Sequence, residues 1–161
     1  MKILSVAVPC YNSADYMENC VNSLLKGGED VEIIIVNDGS TKDNTGEIAD
    51  RLASENPTIV KVIHQENGGH GEAVNTGLKN ATGMYFKVVD SDDWVNEKAL
   101  CAVLKTLRYM IDNNKNLDML LSNFVYEKQG VKHKKVMQYR NALKAKHIMS
   151  WDGNIKFGVA Q

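Results

Sequence analysis

Two kinds of hydrophobic pattern alternate along the chain, one typical of strands and the other typical of helices. Short apolar runs, which are typical of buried strands, cover residues 3–8, 31–36, 59–63, 84–89 and 117–125. Between these runs, apolar residues recur at helical spacing, which predicts helices over residues 14–25, 41–54, 72–80 and 100–111. Asn12 or Ser13 is predicted to cap the first helix, which ends at Gly27-Gly28. Strands separated by helices of this length predict right-handed crossovers and a largely parallel sheet.

The pattern changes after Tyr126. Gln129-Gly130 is a turn signal between two polar, strand-like pieces, which predicts a hairpin at the edge of the sheet. Residues 144–151 are predicted to form one more short helix. The predicted fold class is therefore α/β, with three α/β/α layers, a mostly parallel central sheet and a small edge hairpin near the C-terminus.

Composition and charge are those of an ordinary soluble domain. The chain has 161 residues, a hydrophobic content of 43% and a charged content of 24%, enough to bury a globular core. A formal net charge of -1 gives no electrostatic reason to expect nucleic acid as a partner. The local basic run over residues 132–135 is interpreted as a solvated face. We expect a single domain over residues 1–161 and no nucleic-acid partner.

The cysteines and the hydrophobic segments bear on the cellular compartment. Cys10, Cys20 and Cys101 are widely spaced and show no zinc or redox spacing, which favours free thiols in a reducing compartment. The sequence has no charged-then-apolar leader and no apolar stretch of membrane-spanning length. We expect a cytoplasmic protein without a transmembrane segment in this chain, and peripheral association with the inner face of the membrane stays open.

Polar or conformationally special residues follow each of the first four predicted strands. They are Pro9, Tyr11 and Asn12 after the first strand, then residues 37–40, 65–71 and 90–93 after the next three. In an open α/β sheet, ligands bind beyond the carboxyl ends of the strands. We therefore expect these four loops to meet at one edge of the sheet and to form a binding site there.

Two of these residues have both a structural and a functional interpretation. Asp38 begins the turn that leaves the second strand, with Gly39 supplying a positive φ, or its carboxylate accepts the imide N–H of a pyrimidine base. Tyr11 is either a packing residue at the strand end or an exposed ring that stacks on a flat base. Neither residue decides the question by itself.

The glycine-rich loop after the third strand does not match known phosphate-binding motifs. It lacks the Walker lysine and spacing, and Gly69-x-Gly71 is followed at the third position by Val74. Its glycines are interpreted as letting the backbone approach a diphosphate or a ribose closely. His70, in the same loop, is interpreted as making ordinary hydrogen bonds.

The run Asp90-Ser91-Asp92-Asp93 is the strongest chemical signal. Its three carboxylates within four residues repel one another unless a cation or hydrogen-bond donors compensate them. A divalent cation with oxygen ligands is the natural counter-charge, and it usually also binds substrate phosphates. A calcium EF-hand is excluded, because Val95 and Cys101 occupy its glycine and glutamate positions. The alternative is a polar turn that caps the helix beginning near Asn96.

Four motifs together resemble the family 2 glycosyltransferases of GT-A fold. They are residues 8–12, 35–43, 67–77 and 90–93, and the resemblance runs in order from residue 3 to about residue 97. It implies a Rossmann-like nucleotide-binding fold and transfer of a sugar from a nucleotide diphosphate donor, usually with inversion at the anomeric carbon. Residues 1–97 would then carry the donor-nucleotide motifs, and residues 98–161 the rest of the sheet and the start of the acceptor side.

The resemblance also implies roles for individual residues. The nucleotide-binding residues would be Pro9, Tyr11, Asn12, Asp38, Asn67, Gly68, Gly71 and Ser91, and the ligands of a Mn²⁺ or Mg²⁺ ion would be Asp90, Asp92 and Asp93. Many members carry an arginine before the asparagine of the third motif, where this chain has Val74. The resemblance therefore does not imply a contact between residue 74 of this chain and the donor phosphates.

The resemblance places the general base in a later, acceptor-side segment. We assign no catalytic base, since Asp152 is a weak candidate, and we expect the chain to be a fragment of a longer enzyme. Family habit favours a UDP-linked donor and a saccharide or lipid-linked acceptor in the biosynthesis of cell-surface polysaccharide. Oligomeric state is left unassigned.

Three other classes of protein compete with this interpretation. A non-catalytic nucleotide-sugar-binding module stays open if the acceptor half is absent. A receiver-type signalling domain needs its acidic pair after the first strand and a lone aspartate after the third, and the sequence has neither. A nucleotidyltransferase needs a glycine-rich, basic loop after the first strand, which residues 9–12 do not supply.

Overall fold

The structure is a computed structural model that describes residues 1–127 and 134–139. Its strands are β1 (Leu4–Cys10), β2 (Val31–Asp38), β3 (Val60–Gln65), β4 (Tyr85–Val88), β5 (Phe124–Tyr126) and β6 (Lys135–Met137). Its helices are α1 (Met17–Leu25), α2 (Thr45–Glu55), α3 (His70–Lys79) and α4 (Glu97–Asp112), with a 3₁₀ turn at Gly28–Asp30. Within the described ranges, no helix is long and apolar enough to cross a membrane.

The first four strands form one parallel sheet in the order β3-β2-β1-β4. Every residue of β1 is buried, as the continuous apolar run predicts for a central strand. Ile34 and Val36 of β2 pack against Ala73 of α3 on one face of the sheet. Side chains alternate along a strand, so the equally buried Ile33 and Ile35 point to the opposite face. Both faces of the sheet are therefore covered, and the predicted three-layer α/β/α fold is confirmed.

Two helices begin later than predicted. Helix α1 begins at Met17 and not after Asn12 or Ser13, and α2 begins at Thr45 and not at residue 41. The polar side chains that were expected to cap α1 instead bind other groups, and Ser13 Oγ accepts from the Tyr11 N–H at 3.0 Å. The Asn12 amide oxygen accepts hydrogen bonds from the backbone N–H groups of Thr41 and Lys42, at 3.2 and 3.0 Å.

The prediction of a fifth strand over residues 117–125 is wrong for residues 117–123. Only Phe124–Tyr126 is extended, and this strand pairs antiparallel with β6 in a separate two-stranded sheet. The apolar run is divided by Asp118, Ser122 and Asn123, and aspartate and asparagine are poor strand formers. The antiparallel pair itself agrees with the predicted hairpin. Its turn at residues 129–130, the helix predicted over residues 144–151 and Asp152 lie outside the described residues.

The chain divides into two compact units. The first unit, Met1–Asn113, contains the parallel sheet and all of α1 to α4, and the second begins at Asn114. All the candidate site residues belong to the first unit, so the site can be described within it.

Candidate functional site

The four predicted loops meet at the carboxyl end of the sheet. Strand β1 lies between β2 and β4. The chain adds β2 and β3 on one side of β1 and then adds β4 on its other side. This arrangement makes a topological switch point, the position where open α/β sheets bind ligands. Hydrogen bonds join the loops, with Asn12 N–H donating to Ser40 Oγ at 2.9 Å and Ser91 Oγ donating to Ser13 Oγ at 2.9 Å.

Asp38 connects the loop after β2 to the glycine-rich loop after β3. The residue is 3% exposed, and its Oδ1 accepts from Gln65 Nε2 at 2.7 Å and from Gly68 N–H at 2.8 Å. Its Oδ2 accepts from Gly69 N–H at 2.9 Å. A carboxylate oxygen has about two acceptor positions, so these bonds fill Oδ1 and leave one position on Oδ2.

Hydrogen bonding sets the protonation state of Asp38. Burial raises the pKa of this carboxyl, but the bonds from Gly68, Gln65 and Gly69 together outweigh burial and hold the pKa below its ordinary value. Gly39, at φ +68°, also makes the turn that the structural interpretation predicted. The turn and an ionised carboxylate at the site are thus present together, and the first does not exclude the second.

The glycines of the third loop have different roles. Gly69, at φ +84°, precedes the first residue of α3 in a conformation that side chains rarely adopt. A Cβ at Gly68 would lie 3.0 Å from the Glu72 side chain, so packing within the chain accounts for that glycine. Gly71 lies in the first turn of α3, and a Cβ there would meet no atom of the described residues within 4 Å. Packing within the chain therefore does not explain the glycine at position 71.

An open cavity of about 310 Å³ lies between these loops. Its lining residues are Pro9, Tyr11, Asp38, Asn67, Gly69, His70 and Ala73. Tyr11 is 50% exposed, so its ring is available to a ligand and is not a core packing residue. The structure therefore brings four of the predicted nucleotide-binding residues to one cavity, namely Pro9, Tyr11, Asp38 and Asn67. It also adds His70 and Ala73, which the sequence did not single out for binding.

The other predicted nucleotide-binding residues do not line this cavity. Asn12, at φ +49°, and Gly68 hold neighbouring loops together through the bonds described above. Ser91 bonds to Ser13, and Gly71 lies in α3. Asn12 and Ser91 have polar side chains at the right edge of the sheet, but those side chains already have partners within the chain.

The acidic loop follows β4 next to the cavity. Asp90 Oδ1 lies 2.9 Å from His70 Nε2, and the Asp93 N–H donates to the Asp90 carbonyl at 2.9 Å, which closes a turn. Burial, followed by the charges of Asp92 and Asp90, raises the pKa of the Asp93 carboxyl. Asn96 Oδ1 accepts from the Ala99 N–H and caps α4, so the polar-turn alternative describes the end of this loop correctly.

The acidic loop has the donor chemistry of a divalent-cation site without a complete ligand set. In residues 1–127 and 134–139, no three His, Cys, Asp or Glu side chains converge as a metal-binding group. The loop does supply hard oxygen donors, and burial together with the charges of Asp92 and Asp90, which raise the pKa of Asp93, would be offset by a bound cation. Magnesium usually takes one or two carboxylates and fills its other positions with water and substrate phosphates. The residues present fit that kind of site.

Two buried thiols contact residues of the acidic loop. Cys20 Sγ donates to the Asp90 carbonyl at 3.5 Å, and the Cys10 thiol interacts with the Ser91 side chain. Burial raises the pKa of each thiol to about 12. A thiol with such a pKa is not a nucleophile near neutral pH, so these cysteines have a structural role.

Sequence reasoning missed two contributors to the site. Gln65 ends β3 opposite Asp38 in the parallel register, which places its amide beside the carboxylate. His70 begins α3 and reaches Asp90, 20 residues further along the chain. The parallel order of the strands could have suggested Gln65, because neighbouring strand ends meet side by side. The contact of His70 could not be inferred from local pattern.

The chain's sequence and structure were compared with known proteins. Residues 5–159 match the family described as glycosyl transferase family 2. This chain belongs to glycosyl transferase family 2. The family resemblance inferred from the four motifs is thereby confirmed. Most of the chain takes part in the match, including the residues that form the cavity and the acidic loop.

Individual members of the family show the same similarity. The chain is 42% identical over 125 residues to the glycosyltransferase GlyG of Streptococcus pneumoniae serotype 4, an alignment that covers 76% of this chain and 39% of GlyG. The crystal structure of S. aureus TarS residues 1–349 in complex with UDP-GlcNAc matches with 37% identity and a TM-score of 0.57, covering 70% of this chain and 32% of TarS.

A more distant structure also matches. The mannosyltransferase PcManGT from Pyrobaculum calidifontis, solved with GDP-Man and Mn²⁺, is 27% identical at a TM-score of 0.55, covering 63% of this chain and 31% of PcManGT. In all three comparisons the chain spans well under half of the relative's length.

Proposed function

We propose that this family 2 protein binds a UDP-sugar in the cavity beside β1 and takes part in transferring the sugar to a saccharide or lipid-linked acceptor. The observation that carries the proposal is the ionised, buried Asp38 in a cavity that opens next to the acidic loop. The similarity to TarS, which was solved with UDP-GlcNAc, supports the choice of a uridine donor.

The base would lie between Tyr11 and Asp38. The exposed Tyr11 ring offers a flat apolar face for stacking. The one remaining acceptor position, on Asp38 Oδ2, would accept the N3–H of uracil. Cytosine has an acceptor at N3, so it would face the carboxylate with a lone pair and leave both groups unsatisfied.

The diphosphate would extend from the Asn67 loop towards the acidic loop. The open space at Gly71 leaves room for a phosphate close to the backbone. The carboxylates of Asp90, Asp92 and Asp93 would hold Mn²⁺ or Mg²⁺, which supplies positive charge where the departing diphosphate gains negative charge. PcManGT, whose structure contains Mn²⁺, supports this assignment.

Transfer with inversion also needs a carboxylate that deprotonates the acceptor hydroxyl. The chain spans 39% of GlyG, so a general base in a later segment is consistent with this proposal. The second candidate function is a nucleotide-sugar-binding module without catalysis, because among the described residues the one carboxylate that lines the cavity is Asp38, which is held by hydrogen bonds from within the chain. Release of UDP together with formation of a glycosylated acceptor distinguishes the two, because a binding module without catalysis produces neither. Cytoplasmic location, inner-membrane association and a role in cell-surface polysaccharide remain predictions.

A thermal-shift experiment tests the nucleotide and the cation separately. We expect UDP with Mn²⁺ to raise Tm more than UDP alone, because each bound ligand stabilises the native state by mass action. CDP is the control for the base, since it keeps the diphosphate and reverses the hydrogen-bonding group at N3. Asp93→Asn should lose the Mn²⁺-dependent part of the shift and keep the part due to UDP. Equal shifts with UDP and CDP would contradict the base assignment, and an unchanged Mn²⁺ increment in Asp93→Asn would contradict the cation assignment.

A further inference from the structure

We propose that His70 is a positioning residue that orients the Asp90 carboxylate for cation binding and thereby links the nucleotide cavity to the acidic loop. The inference rests on the proposed function and assigns to this histidine a role within that site. It begins from the position of the side chain. His70 lines the cavity and also places Nε2 2.9 Å from Asp90 Oδ1.

His70 is distinctive among the residues around the cavity. Within the described ranges, no other cavity-lining residue has a side-chain hydrogen bond to the acidic loop. Its position is fixed by the backbone, because Gly69 at φ +84° redirects the chain immediately before α3 begins at His70. The His70 imidazole is therefore in contact with both the nucleotide cavity and the acidic loop, and a ligand bound at either place would affect its position.

The chemistry of the bond favours a supporting role towards a cation. A carboxylate oxygen only accepts hydrogen bonds, so Nε2 carries the proton and donates to Oδ1. The other oxygen, Oδ2, is then oriented by a fixed donor and can serve as a ligand. Carboxylate ligands of metals are commonly held in this way by a second hydrogen-bonding residue.

The Asp90 side chain depends on this bond for its orientation. It is 53% exposed, and in the part of the chain that the structure describes His70 gives its carboxylate the one side-chain hydrogen bond it has. Solvent-exposed polar contacts of this kind contribute little to the stability of a fold. Loss of the bond should therefore change cation binding far more than folding.

Two substitutions at the same position separate the hydrogen bond from the bulk of the ring. His70→Leu removes the donor and keeps an apolar side chain, whereas His70→Gln keeps an N–H donor of similar reach. Isothermal titration of the whole chain would measure UDP binding without metal and then Mn²⁺ binding to the UDP-saturated protein. We expect His70→Leu to weaken Mn²⁺ binding about tenfold, a larger loss than it causes in metal-free UDP binding, as is typical when the support of a metal ligand is removed. His70→Gln should recover most of the loss.

The alternatives give different results in the same titrations. If His70→Leu weakens metal-free UDP binding and leaves Mn²⁺ binding unchanged, the ring contacts the nucleotide directly and the inference is wrong. The inference also fails if His70→Gln behaves like His70→Leu, or if both variants behave like wild type. A wild-type chain that binds neither UDP nor Mn²⁺ would overturn the proposed function itself, and the role of His70 with it. Unliganded Tm values of both variants check that folding is preserved.

Discussion

The Asp38 loop and the acidic loop place carboxylates at the same edge of one sheet under opposite physical conditions. Asp38 is buried, accepts three hydrogen bonds from within the chain, and has a lowered pKa. Asp93 is exposed and has a raised pKa, because partial burial and its acidic neighbours disfavour the ionised form. Hydrogen bonds from within the chain stabilise the ionised form of Asp38, whereas a bound cation would stabilise the ionised form of Asp93. A preformed base pocket beside a cation-dependent loop is the arrangement that this contrast indicates.

Removing the charge of Asp38 should have the largest effect. Asp38→Asn replaces one acceptor oxygen with an amino group that faces buried N–H donors, and we expect a loss of about 3 kcal/mol in unfolding free energy. UDP binding should fall below detection in the same variant. Urea denaturation and isothermal titration measure the two effects. Asp43→Asn is the matched control, because exposed Asp43 also accepts backbone N–H groups but lies away from the cavity.

The stability contributed by Asp38 should also depend on pH. Its folded-state pKa lies below the unfolded value, so the contribution is present above the unfolded pKa and is lost as pH falls through the folded pKa. The difference in unfolding free energy between wild type and Asp38→Asn should therefore shrink on acidification. A difference that stays constant down to strongly acidic pH would indicate that shape, and not charge, makes Asp38 important.

Gly39→Ala should have an intermediate effect, through the backbone of the same loop. A Cβ at this position would lie 2.8 Å from the Asn67 backbone nitrogen, in addition to the strain of φ +68°. We expect a loss of about 2 kcal/mol in unfolding free energy together with weaker UDP binding. Gly28→Ala is the control, since Gly28 has φ +59° but no atom of residues 1–127 or 134–139 lies within 4 Å of the added Cβ. Equal losses in the two variants would mean that contact with the Asn67 loop is unimportant.

Neutralising Asp93 should have the smallest effect on stability, and in the opposite direction. Because its folded-state pKa is raised, ionised Asp93 opposes folding, and this penalty is complete above the folded pKa and is lost as pH falls from the folded pKa to the unfolded pKa. Asp93→Asn should therefore stabilise the metal-free protein at neutral pH by less than about 1 kcal/mol, the usual scale for exposed charges. Unfolding curves at neutral and acidic pH measure it. A destabilised variant at neutral pH would show that Asp93 is already compensated within the chain.

The sequence predicted the central sheet well because burial leaves a direct local pattern. The apolar runs that became β1 to β4 are continuous, and the helices between them fix a parallel arrangement. The loops were harder, because their bonds join residues far apart in the chain. Asn12 N–H meets Ser40 across 28 positions, and such contacts decided where α1 and α2 begin. The fifth strand failed for the related reason that an apolar run does not specify its pairing partner.

The candidate site was predictable as a set of loops and less so as a set of contacts. Parallel topology places Tyr11, Asp38 and Asp90 at one edge of the sheet, and this placement does not depend on the contacts of their side chains. It does not indicate that Gln65 fills an acceptor position of Asp38, or that His70 reaches Asp90. Those contacts depend on loop conformation, which Gly39 and Gly69 determine through positive φ angles.

The two buried thiols can serve as probes of local opening at the acidic loop. Cys10 and Cys20 lie under that loop with pKa values of about 12, so an alkylating reagent can reach them only when the local structure opens. Cys101 is exposed on α4 and supplies an internal reference that reacts without opening. The alkylation rate of Cys10 and Cys20 therefore reports how often the structure around the acidic loop opens. Ligands that stabilise the closed loop should lower this rate.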